Sequence, residues 1–269
     1  MAERNAKLIL MVGVLGVSAS AILVRFSQAP SGVTAAYRLG WTVLLLLPVV
    51  LLRCRAELRR VTARDLVLCG ASGVLLALHF LTWFESLKRT SVASSTVLVS
   101  TEVIFTALGF ALFLHGKIPR LGVWAILLAF GGSALLALSG GGGAGELSGN
   151  LLALAAASAA AVYTLIGRIQ RGHLSTTVYT FLTYLACFLT LLLGTAAAGT
   201  PLTGYGGREW LIGLALAVLC TLLGHSLFSW CLKYLSPSYV SAAKLCEPVF
   251  SSLAAIPLFG EVPGPLQLA

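Results

Sequence analysis

Apolar residues run in blocks of about twenty separated by short polar gaps, the length an α-helix needs to cross a bilayer at roughly 1.5 Å per residue. Such blocks lie at 8–24, 33–52, 66–87, 91–113 and 121–139, and again at 150–167, 176–198, 210–232 and 237–259. Each predicts a spanning helix. A tenth is expected to begin near Gln267, two residues before the chain stops at Ala269. Between the two series, positions 140–149 open on four glycines and continue Ala144-Gly145-Glu146. That composition predicts a flexible connector without helix or strand. It divides the chain into a first unit of five spans, 1–139, and a second, 150–269, of four spans and the start of a fifth. The first block follows Arg4 and Lys7 and holds small residues at 18–21, the outline of a signal peptide. It is expected to be retained, because a block of the same kind recurs in the second unit.

The two units are written in one register. A shift of 145 positions lays 237–261 on 92–116 and brings Leu87 under Leu232, Lys88 under Lys233, Ser91 under Ser236, Glu102 under Glu247 and Phe105 under Phe250. Arg25 and Arg168 echo one another 143 positions apart. Five spans is an odd number, so the second unit must run through the membrane upside down. The expected fold is therefore an all-α membrane protein of two inverted five-helix repeats, a ten-helix design with nine spans present.

Composition agrees with the pattern. Of 269 residues, 58% are hydrophobic and 10% charged, and the mean hydropathy is +0.95. So few charges cannot cover the surface of a soluble domain. The net charge of +9 would suggest nucleic acid in a soluble chain, but the basic residues sit in the gaps between blocks. There they set topology. With the N-terminus inside, twelve Lys and Arg fall on the cytoplasmic side and four (Arg25, Lys88, Arg89, Arg208) on the other, with Arg38 and Lys244 inside the membrane. The excess predicts a cytoplasmic N-terminus in the cell's inner (plasma) membrane. Five of the six cysteines lie within apolar blocks and none forms CxxC, so neither disulfide nor metal site is expected. No GxxxxGK[ST] string is present, and no cofactor is implied.

Charges inside apolar blocks are costly and mark function by default. Lys244 stands three residues before Glu247, one helical turn away, which predicts an ion pair between them. Such a pair is either structural, capping a kink at Pro248, or part of a substrate or coupling site. Glu102 has no cation within four residues on its own helix. Its partner is expected from another helix, with Arg38 the first candidate, from water, or from a proton. On this reading Glu102 is the proton carrier and Glu247 the structural group. Arg38 has a second reading as a snorkelling side chain. His79 and His225, one position out of register in the repeat, are candidates for the cavity or for carbonyl-bonded core. Trp83 and Trp230 are candidates for the cavity or for the interfacial belt. Glu85, just before Lys88 and Arg89, reads as interfacial. An enzymatic alternative rests on Gly70-Ala71-Ser72-Gly73, the form of a rhomboid-type intramembrane serine hydrolase motif, with His225 as base.

The stretch CEPVFSSLAAIPLFGEVPGPLQL, Cys246 to Leu268, resembles the closing signature of EamA-type members of the drug/metabolite transporter superfamily. In the first half, SVASSTVLVSTEVIF departs from that signature. Val103 stands where the pattern has Pro, and His115-Gly116-Lys117 stands where it has Gly-Glu. The resemblance implies ten helices around a central cavity, an arginine common at the position of Arg38, and export or exchange of small metabolites, often amino acids. The partners expected are a small-molecule substrate and the lipid bilayer, with a second copy of the chain as an open alternative and no nucleic acid.

Overall fold

The structure is a computed structural model that describes residues 2–118 and 144–261, together with 120, 122–124, 127–128 and 131–132. Among these, eight helices are long and apolar enough to cross a membrane. In chain order they are α1 (Arg4–Phe26), α2 (Ser31–Arg53), α3 (Ala63–Arg89), α4 (Val92–Phe113), α5 (Gly145–Gln170), α6 (Thr176–Ala197), α7 (Gly207–Cys231) and α8 (Pro237–Phe259). They coincide with eight of the nine predicted spans. The predicted span at 121–139 lies largely outside the described residues, and the start near Gln267 wholly so.

Starts and stops follow local chemistry. Thr62 and Asp65 form a reciprocal capping box at the head of α3. Ser91 caps α4 by accepting from Ser94 N, and Ser236 caps α8 by accepting from Tyr239 N. These two serines are repeat-aligned, so the sequence echo is also an echo in backbone geometry. The helix containing α5 begins at Ala144, which corrects the expected connector: 144–149 are helical. Gly149 lies against Arg89 and Thr90 at the end of α3, and this packing outweighs the weak helix propensity of the segment.

Packing obeys the inverted repeat. The Asp65 end of α3 meets Gln170 at the end of α5, whereas the Arg89 end meets Gly149 near its beginning, so the two helices are antiparallel. The long contact of α3 with α5 is mirrored by that of α7 with α1, and the contact of α3 with α6 by that of α7 with α2. Helices thus pair chiefly across the halves. Gly16 and Gly224 let α1 and α7 approach backbone to side chain, closely enough that a Cβ at either would collide.

The outside is apolar and the inside carries the polar groups. Leu8, Leu52, Leu112 and Leu211 are exposed on the outer surface, while Arg38 is wholly enclosed and Glu102, Lys244 and Glu247 are all buried. A water-soluble protein has the opposite arrangement, and this one is a multi-pass membrane protein.

Candidate functional site

Four of the helices are interrupted at one level. The α1 ladder breaks at Ala19, α4 breaks at Thr101, α7 is a π-helix over Leu216–His225, and α8 tightens to a 3₁₀ turn at Lys244–Cys246. The breaks in α4 and α8 are repeat-aligned. Discontinuous helices expose backbone and side-chain dipoles at membrane depth, and they are tolerated only where protein or a cavity satisfies them. Here they surround a cavity of about 30 Å³. Ser20 of α1, His79 and Trp83 of α3, Glu102 of α4, His225 and Phe228 of α7, and Lys244 and Glu247 of α8 all reach its wall.

Glu102 and Lys244 form the ion pair of this site. Lys244 Nζ donates to both carboxylate oxygens of Glu102, each at 2.9 Å. Glu102 Oε1 also accepts from Thr164 Oγ1 at 2.9 Å and Ser241 Oγ at 3.2 Å. Three side chains from two helices, α5 and α8, thereby satisfy one carboxylate of α4. This overturns the expected pairing of Lys244 with Glu247. A same-helix pair one turn apart contributes only about 0.2–0.5 kcal/mol, whereas a buried carboxylate held by an ammonium and two hydroxyls makes several charge-assisted bonds. The ammonium also lies 5.1 Å from the ring centre of Phe228.

Glu247 is left over. It is 7% exposed, lines the cavity, and its carboxylate has no hydrogen-bond or ion-pair partner among the described residues.

Arg38 neither pairs with Glu102 nor snorkels. Its Nε donates to Thr221 Oγ1 at 2.7 Å, its Nη1 to Ser20 Oγ at 3.1 Å, and its guanidinium lies 4.2 Å from the ring centre of Phe80. Nη2 has no hydrogen-bond partner among the described residues. Thr221 belongs to the π-helix, so the arginine ties α2 to the irregular part of α7.

His79 Nδ1 bonds the carbonyl of Ala156 at 3.0 Å, the core reading, while its ring stacks on Trp83 at 5.8 Å and meets His225 at 6.3 Å. His225 Nδ1 has no hydrogen-bond partner among the described residues. Trp230, unlike Trp83, does not join this group. It packs 4.6 Å from Tyr234 and lines a separate pocket of about 380 Å³ with Glu57, Arg171 and Lys233. Ser72 exchanges a hydrogen bond with Tyr179 at 2.9 Å rather than with His225, so the hydrolase pair is not assembled. Glu85 pairs with Arg89 at 3.3 Å at a partly exposed position.

Sequence reasoning missed Thr164, Ser241, Ser20 and Thr221. Ser241 was within reach, standing one turn before Lys244. Thr164 carries no signal in an alanine-rich helix.

The repeat also appears at the two ends of the bundle. Arg25 Nη1 donates to the carbonyl of Leu87 at 2.7 Å, and Arg168 donates to that of Leu232, the aligned residue. At the first end Arg25 also pairs with Glu261, whose other oxygen accepts from Val92 N at 2.8 Å. Position 116, aligned with Glu261, is glycine.

A family model described as "EamA-like transporter family" matches residues 5–138 and 147–269. A solved structure titled only "Crystal structure of protein" superposes with a TM-score of 0.72 at 20% identity, over 99% of this chain and 93% of that one. At that identity the likeness concerns the fold. The comparison with curated proteins gives no match.

Proposed function

The chain belongs to the EamA-like transporter family, and on that premise we propose that it is a secondary transporter. It exports small amphipathic metabolites, amino acids or similar solutes, across the cytoplasmic membrane by alternating access. The observation that carries this is the cavity at the level of the four helix breaks, where inverted repeats cross and an unpartnered carboxylate faces the space. Broken helices can bend there without losing a full ladder of hydrogen bonds, so the halves can rock about the site. Ser72 is hydrogen-bonded to Tyr179 and not to His225, and in this reading the protein acts by binding and moving its substrate.

The N-terminus is cytoplasmic in this reading, on the asymmetry of Lys and Arg between the two sides. Single cysteines at Gly142 and Arg59, in a background without the native six, test it with an impermeant maleimide on intact cells. Labelling at 142 and protection at 59 is the expected pattern, and the reverse inverts the topology. Function itself is tested by metabolite release from cells with and without the protein, followed by flux in proteoliposomes. Identical release profiles in both cell types would end the exporter reading.

A further inference from the structure

We propose that Glu247 binds the ammonium of the transported solute, so that the cavity accepts small organic amines and reads their positive end, with no requirement for a carboxylate. The inference rests on the transporter reading and names its substrate class.

The argument is a census of charge on the cavity wall. Lys244 and Glu102 neutralise one another at 2.9 Å, and Glu102 receives two further hydroxyl bonds. Arg38 is fully enclosed, shielded by Ser20, Thr221 and Phe80. Both cations are therefore committed or sealed, and an incoming carboxylate meets neither free. Among the described residues, Glu247 is the carboxyl group on the wall that has neither a hydrogen-bond nor an ion-pair partner. A buried carboxylate without a partner is costly, and the cost falls when a cation arrives.

The remaining wall suits a cation as well. Trp83, His79, His225 and Phe228 present ring faces and edges around the same space, and such surfaces attract ammonium groups through the ring quadrupole. The arrangement already holds one ammonium over an aromatic ring, that of Lys244 over Phe228. The free volume of about 30 Å³ matches one or two groups the size of water or of an ammonium head. A hydrocarbon tail needs the interrupted helices to part.

Binding to the full chain in lipid nanodiscs, read by tryptophan fluorescence and calorimetry, tests the proposal with matched probes. Isopentylamine, phenethylamine and tryptamine are compared with 4-methylpentanoate, 3-phenylpropanoate and indole-3-propionate, each pair sharing a carbon skeleton. The amines should bind at least about tenfold more tightly than their acids. Glu247→Gln should abolish amine binding while the melting temperature falls by no more than about two degrees, and Glu247→Asp should retain part of the binding. Acids binding as well as amines, no binding by any amine, or full binding by Glu247→Gln would each overturn it. Metabolite release that persists undiminished in cells carrying Glu247→Gln would leave the transporter reading standing and remove this one.

Discussion

At the end of the bundle where Arg25 sits, one carboxylate joins three helices: Glu261 pairs with the arginine, accepts from the first amide of α4, and follows directly on α8. At the opposite end Arg168 makes the aligned bond to Leu232 and a second, at 3.4 Å, to the carbonyl of Leu235, with Gly116 where the carboxylate would be. Gly116 is pressed against the ring of Phe110, so a side chain at that position would have to displace the ring. An inverted repeat builds the two alternating states from equivalent contacts. Changing one contact at one end therefore breaks the energetic symmetry between those states. The Arg25 end carries an extra charge-assisted contact, which under the alternating access proposed above would favour closure there.

The centre repeats the lesson. Glu102 and Glu247 are aligned, yet position 244 is lysine and its counterpart at 99 is valine. One cation serves two carboxylates, and the cross-helix partner takes it.

The sharpest break of this comparison is Lys244→Met. It strands Glu102 in the interior and should cost about 3–5 kcal/mol in detergent unfolding, whereas Lys244→Met with Glu102→Leu should recover most of the loss. Glu247→Gln, which removes no bonded partner and relieves an unpartnered buried carboxylate, should cost less than about 1 kcal/mol or stabilise the protein. Equal losses in Lys244→Met and Glu247→Gln would mean the two carboxylates are equivalent after all.

A smaller effect is expected at the Arg25 end. Arg25 and Glu261 are partly exposed, 26% and 22%, so their pair contributes about 1 kcal/mol, or roughly a fivefold bias in population. In a cysteine-free background with Val17→Cys on the cavity wall, Glu261→Gln should raise maleimide labelling from the Arg25 side by about that factor. Unchanged labelling would remove this bias from the account.

The smallest test concerns the turns that close α4 and α8. His115 and Gly260 are aligned and both left-handed, with φ of 49° and 67°. Only the glycine adopts that backbone without steric cost. His115→Gly should stabilise the protein by about 0.5–1 kcal/mol, and Gly260→Ala should destabilise it by about 1 kcal/mol. Melts of the two variants moving in the same direction would contradict the equivalence of the turns.

The sequence by itself determined the spans, their inverted repetition and the depth of the charged residues, because hydrocarbon imposes a length and a polarity that are read residue by residue. It placed Arg38, His79, Trp83, Glu102, His225, Lys244 and Glu247 as candidates, and the fold brings all of them except the enclosed Arg38 to one cavity wall. Partnership was decided elsewhere. Lys244 chose between a neighbour three residues away on its own helix and a carboxylate 142 positions back in the chain, and the choice turned on Thr164 and Ser241 arriving from two helices to complete the cage. Trp230 was separated from Trp83 by the same means, since which face of a helix meets the cavity depends on its packing partners. The helix from Ala144 formed through a glycine-rich start because α3 was there to pack on. Local pattern fixes what a segment is, but the pairing of buried charges depends on distances through space, which only the assembled helices set.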